Sequence, residues 1–411
     1  MASGGDIVSQ AVQPIGIPRQ ELRVGALRFL SPTKSLATQA GVKSYSVHPP
    51  SSAAANPLST GSLLNIFVQP AAINPDLISK FIVEFRLQNT GAAPLTIANY
   101  AAMCLQQYTV QYGTSINQNN RAEVLALNSL VQYGTEELAV KGPQEGIVPA
   151  TGAPATTVIA AGASVTFRVP LLTPFDGCLW TRSLGSTQIQ FGLTWQTAAS
   201  LVTVGAPADL LLAEVNVLAN GYKFTTEMRA KLESTFAGTA HINRFLDLQA
   251  SSFQMSSGIT LGTQVSVSVG GSLFGLSAAL AFWVRATPVT PATALTAIPS
   301  SINAFTFLLG SQPLDFLPPQ ANANFVRATF AGPEQIRGTS IFNQELNILP
   351  FTTNLSDCVA TSSLLGSYFV SSQLVLQILC GATAANCELY GVTYNVSALV
   401  QLGANLTVQT T

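Results

Sequence analysis

The amino-acid sequence predicts an all-β protein built from two β-rich halves. Three observations carry that expectation. Stretches of apolar/polar alternation recur along most of the chain, the period-2 signature of half-buried strands. The stretch from Leu210 to Met255 enters as a strand pattern, passes through a helical one and leaves as a second strand pattern, so it reads as a seam. The length of 411 residues also exceeds the ~250–300 at which single cores stop growing, which sets two domains as the expectation.

Residues 1–60 read as an extended arm. They hold Pro14, Pro18, Pro32, Pro49, Pro50 and Pro57, with one short helix expected around Gln20 to Leu30, where Leu22, Ala26 and Phe29 share a face. Strands are expected from Leu63 onward, where Leu64, Ile66 and Val68 form one face. Phe81, Val83, Phe85 and Leu87 then alternate with Lys80, Glu84 and Arg86 up to the turn Asn89-Thr90-Gly91. Tyr108, Val110 and Tyr112 mark a further strand, and Val124 to Val131 is a more continuous apolar run. Gly134 to Ala155 is a polar, Gly/Pro-rich excursion of a length that usually serves function or an interface. Alternation resumes with Val165, Phe167 and Val169, and again with Ile189, Phe191, Leu193 and Trp195. With Leu211 to Leu218 the first half, 61–244, reaches about seven or eight strands, the number in a β-sandwich or jelly roll.

At the seam Val215 and Val217 alternate with Glu214 and Asn216. Thr225-Thr226-Glu227 offers an N-cap and an acidic first turn, and Met228, Leu232 and Phe236 follow at helical spacing. The spacing predicts a connecting helix over 226–236 that packs between or beneath the halves through those three residues. Glu227/Lys231 and Arg229/Glu233 are its i,i+4 pairs. The second half, 245–411, opens with Phe245-Leu246-Asp247-Leu248. In it Val265, Val267 and Val269 alternate with serines, and Leu273 to Val284 reads as a buried strand pair or one long strand carrying Trp283. A proline-rich, irregular insert is expected over 287–320, then strands near 341–349, 374–380 and 388–398. In the last, Tyr390, Val392, Tyr394 and Val396 face one way and Thr393, Asn395 and Ser397 the other.

Composition narrows the function. Charged residues are 9% of the chain against ~25% in typical soluble domains. With 47% hydrophobic residues and a mean hydropathy of +0.36, this describes a subunit whose sides disappear into neighbours, or a membrane barrel. No run approaches the ~20 apolar residues of a spanning helix. The start Met-Ala-Ser-Gly-Gly-Asp lacks the pattern of a secretory signal, so synthesis in a cytoplasm is expected. A net charge of −1 argues against a general nucleic-acid binder, although residues 1–44 hold five basic residues against two acidic, a balance of +3. Cys104, Cys178, Cys358, Cys380 and Cys387 include no C-x-x-C pair; Cys380 and Cys387 sit across a hairpin loop and are expected as packed, reduced thiols.

Catalytic constellations are missing from the pattern. His48 and His241 are the two histidines, and each reads as an ordinary surface or loop residue. Phosphate-binding loop, nucleophile-elbow and zinc-helix motifs are absent. The pair Glu136-Glu137 beside Lys141 reads as solvated loop charge, and Trp180, Trp195 and Trp283 as core aromatics. A non-enzyme without cofactor or metal is expected.

Several stretches resemble, in order, the double jelly-roll major capsid proteins of tailless, internal-membrane bacteriophages of the tectivirus type, kin in fold to adenovirus hexon. They are Asn89-Thr90-Gly91-Ala92, Ala153-Pro154-Ala155, Ile159-Ala160-Ala161-Gly162-Ala163 before Phe167 to Leu171, Val204-Gly205-Ala206, Leu246-Asp247-Leu248, and Leu389-Tyr390-Gly391-Val392-Thr393-Tyr394. These motifs are short and span most of the chain. The resemblance implies two eight-stranded jelly rolls with an extended N-terminal arm, long inter-strand loops and a few short helices. It further implies a homotrimeric capsomer of pseudo-hexagonal outline in an icosahedral virion. In that setting Arg19, Arg23, Arg28 and Lys34 of the arm would face the anionic lipid headgroups of an internal membrane. Implied partners are further copies of the chain, penton proteins and minor membrane proteins, with no sequence-specific nucleic acid. Two other readings share some features: a porin-like outer-membrane β-barrel, and a secreted β-sandwich carbohydrate-binding protein. The first calls for a signal peptide and aromatic girdles, whereas aromatics are 8% of the chain.

Overall fold

The computed structural model describes residues 37–47, 56–70, 76–133, 135–176, 179–224, 226–236, 240–255, 262–268, 275–298, 301–309, 312–313, 321–322, 347–350, 367–369, 374–381 and 386–410. The first half carries strands β1 (Ala37–Val47), β2 (Leu63–Val68), β3 (Leu77–Asn89), β4 (Leu95–Ala98), β5 (Leu105–Tyr112), β6 (Ile116–Arg121), β7 (Thr156–Ile159), β8 (Ser164–Pro170), β9 (Leu179–Trp180), β10 (Ile189–Trp195), β11 (Val202–Val204) and β12 (Leu210–Phe224). One antiparallel sheet runs β1-β12-β3-β8, with β9 on β3; a second runs β2-β10-β5-β6; a small third runs β11-β4-β7.

The second half carries β13 (His241–Met255), β14 (Gln264–Ser268), β15 (Gly275–Ala286), β16 (Ile302–Leu309), β17 (Gln312–Pro313), β18 (Ala321–Asn322), β19 (Asn347–Pro350), β20 (Ser367–Phe369), β21 (Leu374–Cys380), β22 (Cys387–Leu402) and β23 (Asn405–Thr410). Its sheets run β13-β22-β15-β19 and β14-β21-β16-β17, with short strands attached at their sides. If the eight main strands of each half are taken in chain order, one sheet holds the first, eighth, third and sixth. The other holds the second, seventh, fourth and fifth, and both halves follow this order.

Alternation explains the layers. In β3 the buried residues Phe81, Val83, Phe85 and Leu87 face inward, while Glu84 and Arg86 face out and bind Arg168 of β8 at 2.7 Å and Glu214 of β12 at 3.4 Å. Inward rings lock the two sheets of the first half together. Phe81 meets Phe191 of β10 at 4.9 Å, and Phe85 meets Trp195 edge-on at 5.2 Å. Phe282 of β15 and Phe305 of β16 do the same in the second half, at 5.0 Å.

The helices are short: α1 (Pro57–Thr60), α2 (Glu123–Gln132), α3 (Thr135–Lys141), α4 (Ala198–Leu201) and α5 (Thr226–Phe236). The helix predicted over 226–236 is α5. Elsewhere the expectations need correction. Strands begin well before Leu63: β1 lies inside the expected arm and pairs along most of β12. The apolar run Val124 to Val131 is helix α2, buried on nearly every side, so its periodicity is masked. The excursion after Gly134 contains α3, and Glu136-Glu137 lie on that helix, where Glu137 pairs with Lys141 at 2.6 Å. The insert over 287–320 contains the core strand β16. The helix expected at 20–30 lies outside the described residues.

Candidate functional site

The feature that distinguishes this chain from a single sandwich is the junction between its halves, and three groups of side chains build it. The first centres on Asp76, which sits just before β3 with its side chain fully buried. Its carboxylate accepts from Arg182 Nε at 2.7 Å, from the Phe224 N–H at the end of β12 at 2.9 Å, and from Arg229 Nη2 on α5 at 3.1 Å. One buried charge thus fastens the connecting helix to the first half, and each acceptor bond is charge-assisted or to backbone. Arg229, whose spacing pairs it with Glu233, turns to Asp76 instead.

The second group adjoins the first, through Thr181, which donates to the Asp76 carbonyl at 3.1 Å, and joins the halves by amide and hydroxyl contacts. Gln401 of β22 donates to the Trp180 carbonyl at 2.7 Å and to Ser183 Oγ at 2.9 Å, and its own oxygen accepts from the Trp180 N–H at 3.2 Å. Tyr112 donates its hydroxyl to the Ala404 carbonyl at 2.9 Å, and Asn243 Nδ2 donates to the Asp176 carbonyl at 2.7 Å. These bonds satisfy polar groups that the junction buries.

The third group is ionic. Register places Arg285 opposite Glu388, and Trp283 opposite Tyr390, on one face of the β15–β22 pair. Arg285 is 1% exposed. Its Nε donates to Glu388 at 2.7 Å, its Nη1 donates to the Ala294 carbonyl at 2.9 Å, and its guanidinium lies 3.7 Å above the Tyr390 ring. Nη1 also stands 3.4 Å from the carboxylate of Glu123, the first residue of α2 in the other half. Glu123 is well placed there, since the start of a helix favours negative charge. Burial pushes the Tyr390 phenol far above its ordinary range, with the Glu123 charge adding to the effect; burial alone does the same at Tyr394.

Of the residues expected to pack the connecting helix, Leu232 is buried at 7% exposure, while the Met228 and Phe236 side chains lie outside the described residues. Arg19, Arg23, Arg28, Lys34 and His48 also fall outside them. His241 starts β13 opposite Gln401. Cys380 and Cys387 are buried thiols outside any disulfide, and the Cys380 pKa is pushed up to about 11 by burial and then by the neighbouring Cys387. Trp180, Trp195 and Trp283 are buried. Among the described residues no cluster of three His, Cys, Asp or Glu suits a metal ion, and no helix is long and apolar enough to cross a membrane. Asp76 and Arg285 were missed at the sequence level, although a charge directly after Phe282-Trp283-Val284 is a legible sign of a buried ion pair.

No family model and no curated protein matches the chain. Solved structures do match. The PBCV-1 virus capsid shares 12% identity over 90% of this chain and 97% of its own, with a TM-score of 0.62. The fold is the double jelly roll. The Faustovirus major capsid protein superposes as a second double jelly roll at 10% identity over 88% of this chain and 90% of its own, TM-score 0.58. The STIV MCP follows at 13%, 86%, 96% and 0.51. In double jelly-roll terms, β13-β22-β15-β19 is the wall that the second roll turns toward the first; the Gln401 and Arg285 groups bond the rolls directly, while Asp76 ties the connecting helix to the first roll.

Proposed function

We propose that this chain is the major capsid protein of an icosahedral virus, a structural subunit of the virion shell and not an enzyme. The observation that carries this reading is the repeated strand order in two rolls fastened across a bonded junction, matched over about nine-tenths of the chain by the PBCV-1 virus capsid structure. Rolls joined in this way form a stiff prism. Three such prisms side by side give the pseudo-hexagonal outline that tiles a shell, and uncharged polar strand faces suit lateral burial against further copies. Residues 1–36, which precede β1 and hold Arg19, Arg23, Arg28 and Lys34 against Asp6 and Glu21, would run beneath the shell toward anionic headgroups of an internal membrane through those four basic residues. Penton and minor membrane proteins are the further partners of that arrangement.

The other two readings have less support. A porin turns polar residues to its lumen, whereas here the inward faces are packed with Phe81, Val83, Phe85, Phe191 and Trp195. A sugar-binding sandwich would present an aromatic platform, yet all three tryptophans are buried. The test is to purify the full chain without detergent and determine its mass and its assemblies by light scattering and electron microscopy. A trimer of about three times 43.0 kDa that closes into shells is the expected result; a monomer under all conditions would overturn the reading. Removing residues 1–36, which stops short of β1, is expected to leave trimers and abolish closed particles.

A further inference from the structure

A cleft of about 700 Å³ opens between the rolls, and two unbroken runs of chain form most of its lining, Ser115 through Arg121 and Asp247 through Ala250, with Gln107 and Val408 beside them. Unbroken runs mean that strand edges, not alternate side chains of a sheet face, form its walls. The first run is β6, the last strand of its sheet, and the second belongs to β13, the last strand of the facing sheet. The phase of β6 follows from its pairing. Ala122 donates its N–H to the Gln106 carbonyl, and the same register sets Asn120 opposite Tyr108 and Gln118 opposite Val110. Even-numbered residues therefore spend their backbone groups on β5. The N–H and C=O of Asn117, Asn119 and Arg121 point the other way, into the cleft. Among the described residues these backbone groups have no backbone partner, and all three side chains are exposed.

Proteins usually blunt such an edge with lysine, proline or a bulge. The sequence Ile-Asn-Gln-Asn-Asn-Arg of β6 has neither lysine nor proline, and its register with β5 runs without a shift. At ~3.3 Å per residue its six residues offer about 20 Å of edge. Charge limits what fits. Arg121 and Asp247 offset one another, and the remaining polar walls are carboxamides and a serine, so the cleft favours an uncharged polar strand. This chain, with 9% charged residues and abundant Ser, Thr, Asn and Gln, is itself a source of such strands.

We propose that the outer edge of β6 is a strand-addition site that accepts an extended, uncharged polar segment of a second copy of this chain, through the backbones of Asn117, Asn119 and Arg121. The proposal rests on the reading of the chain as a self-assembling shell subunit. The test is amide hydrogen exchange over residues 115–121 in isolated subunits and in assemblies, with Asn119→Pro and Asn119→Ala as variants. Proline at 119 loses no bond to β5 and deletes one outward donor, whereas alanine keeps that donor. Assembly is expected to slow exchange of the outward amides at least tenfold. Asn119→Pro should weaken self-association about tenfold or more while Asn119→Ala associates as the wild type does. Equal exchange of these amides in subunits and assemblies overturns the proposal and leaves the capsid reading intact, whereas wild-type subunits that never associate overturn the capsid reading itself. The exchange comparison uses wild-type protein and so stands even if the proline variant misfolds. Protection in isolated subunits on adding a neutral oligosaccharide, with none on assembly, also overturns the proposal.

Discussion

Arg285 and Glu145 are both buried charged residues, and they behave in opposite ways. Arg285 is compensated, by Glu388 and Glu123 and by the Tyr390 ring. Arg285→Ala would leave two carboxylates facing apolar surroundings, and breaking a buried pair in this way costs about 3–5 kcal/mol; urea unfolding should show the midpoint falling accordingly. Glu145, just beyond α3, has no cation at bonding distance among the described residues and accepts from the Tyr133 hydroxyl at 2.5 Å. Burial, the largest influence, raises its pKa above the ordinary 4.5. A carboxyl raised in the folded state favours folding in full below the ordinary value, and that contribution fades as pH climbs through the raised one. Wild-type stability should therefore decline over that window. Glu145→Gln should flatten the decline and be the more stable at neutral pH, as denaturation series at several pH values would show.

At the scale of elements, the connecting helix carries the clearest consequence. Among the described side chains of helix α5, Leu232 is buried and Arg229 is held by Asp76. Asp76→Asn would weaken charge-assisted bonds to Arg182 and Arg229, each partly exposed and able to recover water. A loss of about 1.5–3 kcal/mol is expected, with hydrogen exchange accelerating first in α5. The boundaries of this helix were legible because a turn signal and an acidic first turn precede it. Helix α2 was not, because burial on nearly all sides removes the polar stripe that reveals a helix. Strand β1 was hidden for a different reason. Ala-Thr-Gln-Ala-Gly-Val-Lys-Ser-Tyr-Ser-Val is too weakly apolar to announce a strand, and only pairing with β12 makes it one.

Across the whole molecule, apolar packing continues across the seam between the first roll and the facing sheet of the second. One continuous cluster includes Phe81, Phe85 and Trp195 of the first roll together with Phe245, Trp283, Tyr390 and Tyr394 of the second. Calorimetry of isolated subunits should therefore give a single unfolding transition for both rolls, with calorimetric and van't Hoff enthalpies in agreement. Two resolved transitions would show the junction to be weaker than its packing indicates. The two-roll plan was readable from periodicity because most strands of the first roll have one wet and one dry face. The junction was harder to read, since Asp76, Arg285 and Gln401 are single polar residues whose partners lie far away in the chain.

Strand β22 gives that continuity a further meaning. From Cys387 to Leu399 it is buried on both faces, with Tyr390, Val392 and Tyr394 on one and Leu389, Thr393 and Asn395 on the other. A strand with two inner faces has no side on which a residue can be exchanged freely: one face answers to the interior of its own roll, the other to the neighbouring roll. The two rolls are consequently not interchangeable modules. A second roll transplanted from another chain would bring a β22 shaped to someone else's first roll, so the pair can diversify only together.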